Sequence, residues 1–226
     1  MSRRPGIASG HHGPVIRRTG GARKGASRRL LRGGVLLAAV LLAAAAAPAQ
    51  QGLMLGFYAG QDSENLLDPL ANLLALTPTW TAEWTGAIDY PTVSSALGLP
   101  QNVNYTLLWT GWFFPPVAGT YDFQTGSDDG SVIYIDLDDD GLFSSPDERV
   151  VNNNAYQGTA WRSGSATLAA RPYRIAIAYY QGGGGEELHA QYRLSGSQEW
   201  LTVASASGHF FTAPPGPPII RNLPAT

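Results

Sequence analysis

The chain has no cysteine in its 226 residues. No disulfide can brace it, so an exported form must be stabilised by its core or by bound metal. It has no apolar run long enough to cross a membrane, which takes about 20 residues; the run Val35–Ala47 falls short. It is poor in positive charge outside its first segment. Nine of the fifteen basic residues lie within Met1–Gly34 and none of the seventeen acids does, which leaves six arginines against seventeen carboxylates downstream, a net charge of −11. So acidic a stretch repels nucleic acid and anionic lipid and attracts cations. Helical periodicity is almost absent. Histidine is scarce too: past the first segment only His189 and His209 remain, far apart in strand-like runs.

What is present begins with an export signal. The basic segment, the apolar run Val35–Ala47 and the small-x-small site Ala47-Pro48-Ala49 follow the three-part order of a cleaved leader. Residues 1–49 are expected to be removed. The product is expected to be secreted, extracellular or at the cell surface, with a periplasmic destination also open. Ser27-Arg28-Arg29-Leu30-Leu31 loosely fits a twin-arginine signal, so the export route stays open. Residues 50–212 suffice for one core and one domain. Residues 213–226, APPGPPIIRNLPAT, read as a stiff, extended linker or frayed end.

Between these ends the pattern is β. Tyr105–Phe114 is rich in Thr, Trp and Phe. Thr120–Thr125 alternates Tyr121 and Phe123 against Asp122 and Gln124, the period of a half-buried strand. Ser131–Ile135 is β-branched or apolar on both parities, as a strand covered on both faces would be. Further strands are read at Gly52–Gly60, Trp80–Trp84, Arg149–Val151, Ser165–Leu168, Tyr173–Tyr180, Leu188–Leu194, Trp200–Val203 and His209–Thr212. One short helix is expected over Pro69–Leu76, with Asp68 as its N-cap and Pro69 at its first position. Asp89–Pro100 reads as turns. Short strands broken by Gly and Pro indicate an all-β sandwich or barrel.

Two acidic clusters flank Ser131–Ile135. The first is Ser127-Asp128-Asp129-Gly130. It reads either as a solvated Asp-Gly turn or as a pair of carboxylates awaiting a cation. The second, Asp136-x-Asp138-x-Asp140-Gly141, continues to Asp147 and fits a twelve-position calcium loop. Asp136, Asp138 and Asp140 would take positions one, three and five. Gly141 would make the turn, Leu142 would offer its carbonyl, and Ser144 would act through water. Asp147 stands at position twelve, where a bidentate Glu is usual, and Glu148 is adjacent. The flanks are strands, so the loop would sit in a hairpin. Its bland alternative is an acidic surface turn. Seven strand steps at about 3.3 Å separate Asp129 from Asp136 by roughly 23 Å, so no single ion bridges both clusters.

The run WTGWFFPPVAGTYDFQTGSDDGSVIYID resembles the core of the PA14, or protective-antigen-type, domain. Trp109-Thr110-Gly111, Pro116, Gly119-x-Tyr121-x-Phe123, Ser127-Asp128-Asp129-Gly130 and Ile135-Asp136 carry the likeness. Gly52-Leu53, Phe57-Tyr58, Ser163-Gly164-Ser165, Tyr173-x-Ile175-x-Ile177, Tyr180–Gly185 and Leu188 follow in order. The resemblance spans roughly residues 52–212 and implies a mostly antiparallel β-sandwich. In adhesins of this family an Asp-Asp pair joined by a cis peptide holds a calcium ion that ligates sugar hydroxyls. The resemblance therefore implies calcium at Asp128 and Asp129, with specificity set by the loop Gln181–Glu187. The adhesins use an Asn in that loop; none is present here, so Gln181, Glu186, Glu187 or glycine carbonyls would have to serve.

Other motifs lead elsewhere. Ser195-Gly196-Ser197 reads as a turn and not a nucleophile, and Gly182–Gly185 lacks the Lys and Ser/Thr of a phosphate loop. Trp109, Trp112 and Trp200 read as core, while Trp161 is the ring best placed to meet a ligand. The expectation is a non-enzymatic, calcium-dependent carbohydrate-binding module of adhesion type, monomeric and not membrane-spanning, with a glycan or cell-surface polysaccharide as partner and no nucleic acid. The alternative is a calcium-stabilised spacer with no sugar site.

Overall fold

A computed structural model describes residues 49–214. The expected leader, apart from Ala49, and nearly all of the Pro-rich tail lie outside the described residues. Among the described residues there are twelve strands: β1 (Leu53–Ala59), β2 (Trp80–Trp84), β3 (Asp89–Tyr90), β4 (Tyr105–Phe113), β5 (Gly119–Asp128), β6 (Ser131–Ile135), β7 (Arg149–Asn153), β8 (Ala160–Leu168), β9 (Tyr173–Gln181), β10 (Glu187–Leu194), β11 (Leu201–Thr202) and β12 (Phe210–Phe211). They form two antiparallel sheets. The larger runs β2-β1-β4-β9-β6-β7, with β12 also on β4; the smaller runs β11-β10-β5-β8, with β3 also on β10.

Aromatic residues fill the space between the sheets. Phe113 meets Tyr121, Phe123 and Tyr192 edge-on, with ring centroids 5.4–5.7 Å apart. Trp109 is fully buried beside Trp84 and Tyr90. The outer face of the larger sheet carries a second, smaller core. There Leu67, Leu70 and Leu73 cover Tyr58, Leu108, Val132, Tyr134, Ala176, Ala178 and Tyr180. This explains the composition of β6. Ile133 and Ile135 face the inter-sheet core while Val132 and Tyr134 face this cover, so every position is buried.

Three sequence expectations need correction. The helix read over Pro69–Leu76 shrinks to α2 (Ala71–Leu74), and an unexpected helix, α1 (Glu64–Leu67), precedes it. Asp68 ends α1 and does not cap α2, whose N-cap is Leu70; α1 is capped by Ser63, whose side chain accepts the Asn65 amide. A third helix, α3 (Val93–Leu97), closed by left-handed Gly98, lies inside the stretch read as turns. Finally, β8 starts at Ala160, five residues before the expected strand, which places Trp161 in the sheet and not between strands.

Connections between the sheets converge at one pole. There β5 hands over to β6, β7 to β8 and β9 to β10, so the turn Asp129–Gly130, the loop 154–159 and the loop 182–186 lie side by side. The β6–β7 loop leaves from the other end of β6.

Candidate functional site

The pole where the crossovers meet contains Asp128 and Asp129, joined by a cis peptide. The two carboxylates are held differently. Asp129 is nearly buried. Its Oδ1 accepts the Gln157 amide at 3.0 Å and its Oδ2 the Gly182 amide at 2.9 Å. Its own amide donates to Gln181 Oε1 at 3.2 Å. Asp129 thus ties together the three crossover segments. Asp128 has only its carbonyl tied down, by the Tyr179 hydroxyl at 2.7 Å. Among the described residues, none donates a hydrogen bond to its carboxylate. Burial pushes that carboxyl above the usual range, and the charges of Asp129 and Glu187 push the same way. The glycine loop comes close: a Cβ on Gly185 would lie 2.6 Å from Asp128 Oδ2.

The loop residues expected to bind are not equally free. Gln181 is fully buried. Its Oε1 also accepts from the Tyr179 hydroxyl, and its Nε2 donates to the Gly185 carbonyl at 2.6 Å. Glu186 turns inward to α3. It accepts from the Ser94 amide at 3.1 Å, from the Ser94 hydroxyl, and from the Tyr105 hydroxyl at 2.8 Å. Burial, reinforced by Glu186, raises the Tyr105 pKa and keeps that hydroxyl a donor. Glu187 lies directly opposite Asp128 in the β5–β10 register, so both point to the outer face of the smaller sheet.

That outer face continues into an aromatic step. Trp161, Gly126 and His189 sit in one row across β8, β5 and β10. Because Gly126 has no side chain, the Trp161 ring lies over it; an added Cβ would collide with the indole. The ring stacks on His189 at 5.5 Å and 12°, and Trp161 remains 44% exposed. His189 is pinned by Glu187, whose Oε1 lies 2.6 Å from Nε2, and by Asp89 at Nδ1. Burial opposes charge on this ring, but the two carboxylates outweigh it and raise its pKa. Glu187 also accepts from the Thr159 hydroxyl; that bond, then His189, lowers its pKa.

At the far end of β6, the loop from Asp136 to Glu148 gathers Asp136, Asp138, Asp140 and Glu148, each offering a carboxylate oxygen within 4.8 Å of the others. Asp147, expected at position twelve, is exposed and outside this set, and Glu148 is inside it. The Leu142 amide donates to Asp140 Oδ1 and the Ser144 amide to Glu148 Oε2. Ser195-Gly196-Ser197 is a turn after β10, with Gly196 left-handed.

Sequence reasoning missed Gln157, Tyr179, His189, Asp89 and Thr159. A period-two spacing places Glu187 and His189 on one face of a strand and was available as a signal. Asp89 carried none.

Residues 94–205 match the family described as PA14 domain. That stretch of the chain is a PA14 domain. Solved structures agree on the fold. The PA14 domain of the MpAFP antifreeze protein is 19% identical, covers 76% of this chain and 96% of its own, and superposes with a TM-score of 0.56. A PA14 sugar-binding domain from an RTX adhesin is 24% identical over 73% of this chain and 99% of its own, with a TM-score of 0.55. The A domain of Epithelial Adhesin 6 from Candida glabrata, solved in complex with Galb1-3GlcNAc, is 16% identical over 74% of this chain and 88% of its own, also at 0.55. No curated protein matches this chain. No helix among the described residues is long and apolar enough to cross a membrane.

Proposed function

We propose that this PA14 domain is a secreted, adhesion-type carbohydrate-binding module, and that calcium held at Asp128 and Asp129 presents the sugar site. The observation that carries this reading is the Asp128 carboxylate. It has no donor among the described residues, faces Glu187 across the sheet and abuts the glycine loop. Calcium prefers such hard oxygen ligands in a flexible arrangement. Asp128, Asp129, Glu187 and the carbonyls of Gly183–Gly185 are the groups that would hold it. Gln181 and Glu186 would act behind them, by shaping the loop. Trp161, exposed on the same outer face, offers an apolar ring for the face of a sugar. The complex of Epithelial Adhesin 6 with Galb1-3GlcNAc makes that disaccharide the first probe. The basic and apolar leader supports export to the cell exterior.

The test is retention of the wild-type chain on immobilised glycans. Binding in calcium with release by a chelator supports the reading. Retention that ignores the chelator overturns the calcium dependence. A second reading, a spacer without a sugar site, is favoured by the inward turn of Gln181 and Glu186. It predicts no retention on any glycan.

A further inference from the structure

The loop between β6 and β7 is built around a carboxylate that the protein leaves unsatisfied. Asp136 is 1% exposed. Its Oδ2 accepts the Gly141 amide at 3.0 Å and Arg174 Nη1 at 3.1 Å. Its Oδ1 is buried and, among the described residues, has no partner. Such an atom is costly in a protein interior unless a donor or cation reaches it. Glu148 is equally buried, and its two oxygens take the amides of Leu137, Ser144 and Ser145 at 2.9–3.2 Å. Asp138 and Asp140 each spend one oxygen on an amide two residues on. Asp139 turns instead to Arg174 and Arg171. Among the described residues, Arg174 is thus the one guanidinium on the four-carboxylate set, where it touches Asp136 alone.

We infer that this loop is a second calcium site, with Asp136, Asp138, Asp140 and Glu148 as its side-chain ligands. Calcium lies about 2.3–2.6 Å from each oxygen, so ligands on opposite sides of one ion stand about 5 Å apart. Four oxygens within 4.8 Å fit around a single ion. That ion satisfies Asp136 Oδ1 and neutralises the crowded charge. Its effect extends beyond the loop. Phe143 lies edge-on to Tyr134 at 6.0 Å, and the Tyr134 hydroxyl donates to the Leu67 carbonyl at 3.1 Å. The ion therefore fastens the loop, through Phe143, to the helical cover of the larger sheet. The site stands apart from Asp128 and Asp129 and does not depend on their role.

Calcium alone is the probe. Stoichiometry by equilibrium dialysis is measured on the full chain, on Asp138→Asn with Asp140→Asn, and on Asp128→Asn with Asp129→Asn. Asp138 and Asp140 are exposed, so the first pair leaves the core intact. The loop pair is expected to bind one ion fewer than wild type. It is also expected to lose the loop's share of the calcium-dependent rise in melting temperature, and the calcium protection of the Leu142–Phe143 bond from a chymotrypsin-like protease. The Asp128 and Asp129 pair is expected to keep that share and that protection. A wild-type chain that binds one ion, lost only in the loop pair, upholds this site and counts against the other pole. A loop pair that binds as many ions as wild type overturns the inference, as does a wild type that binds none.

Discussion

Asp128 and Asp129 are neighbours in sequence with opposite accounts of their charge. Asp129 spends both oxygens on backbone amides from two crossover loops, so its replacement by a side chain without an acceptor would loosen the pole itself. Asp128 leaves its carboxylate to whatever approaches from outside. A different residue contributes to the response to acid. His209 shares a hydrogen bond of 2.7 Å with the Tyr192 hydroxyl, and burial holds its pKa below 6.5. The unfolded chain therefore takes up a proton there before the folded one does. Stability from this group is present above pH 6.5 and is lost as pH falls from 6.5 through the folded value. Thermal melts of His209→Gln are expected to show a shallower loss below pH 6.5 than wild type. An unchanged slope would assign the acid sensitivity to other groups.

Among the elements, β7 and β8 belong to different sheets yet close one edge of the sandwich. Gly164 makes this possible, since a Cβ there would collide with the Val150 carbonyl oxygen. Gly164→Ala is expected to cost about 1–3 kcal/mol by overpacking, and in a domain of this size each kcal/mol lowers the melting temperature by about 2–4 °C. A melting temperature equal to wild type would show that the two strands part without cost. The strands were legible because alternation is a local signal: β5 and β9 read directly, and the uniform burial of β6 was visible in its composition. The Asp136 loop was legible for the same reason, its spacing being contained in thirteen residues. At its end, the turn at Pro146–Glu148 points Glu148 inward and Asp147 out, so Glu148 and not Asp147 joins the carboxylate cluster. What was not legible came from contacts across the chain. Glu186 meets Ser94 over 92 residues, and Asp89 meets His189 over 100. No local pattern announces either. Trp161 looked like a loop residue because the strand that carries it opens with small and polar side chains.

On the proposed reading, the molecule separates two tasks along one strand. One end of β6 enters a pole where three connections between the sheets are tied by Asp129. The other end enters a carboxylate-rich loop whose Phe143 packs against Tyr134 beside the helical cover. The charge of −11 beyond the first segment is concentrated partly at these two ends. That distribution favours cations at both, and the PA14 fold places Trp161 beside only one of them. The most direct measurement is a glycan array probed in calcium with the wild-type chain and with Asp128→Asn, Asp129→Asn side by side. Binding of wild type to a defined set of glycans, abolished in the double variant while its fold is retained, is the predicted result. A double variant that binds the same glycans as wild type would contradict the account.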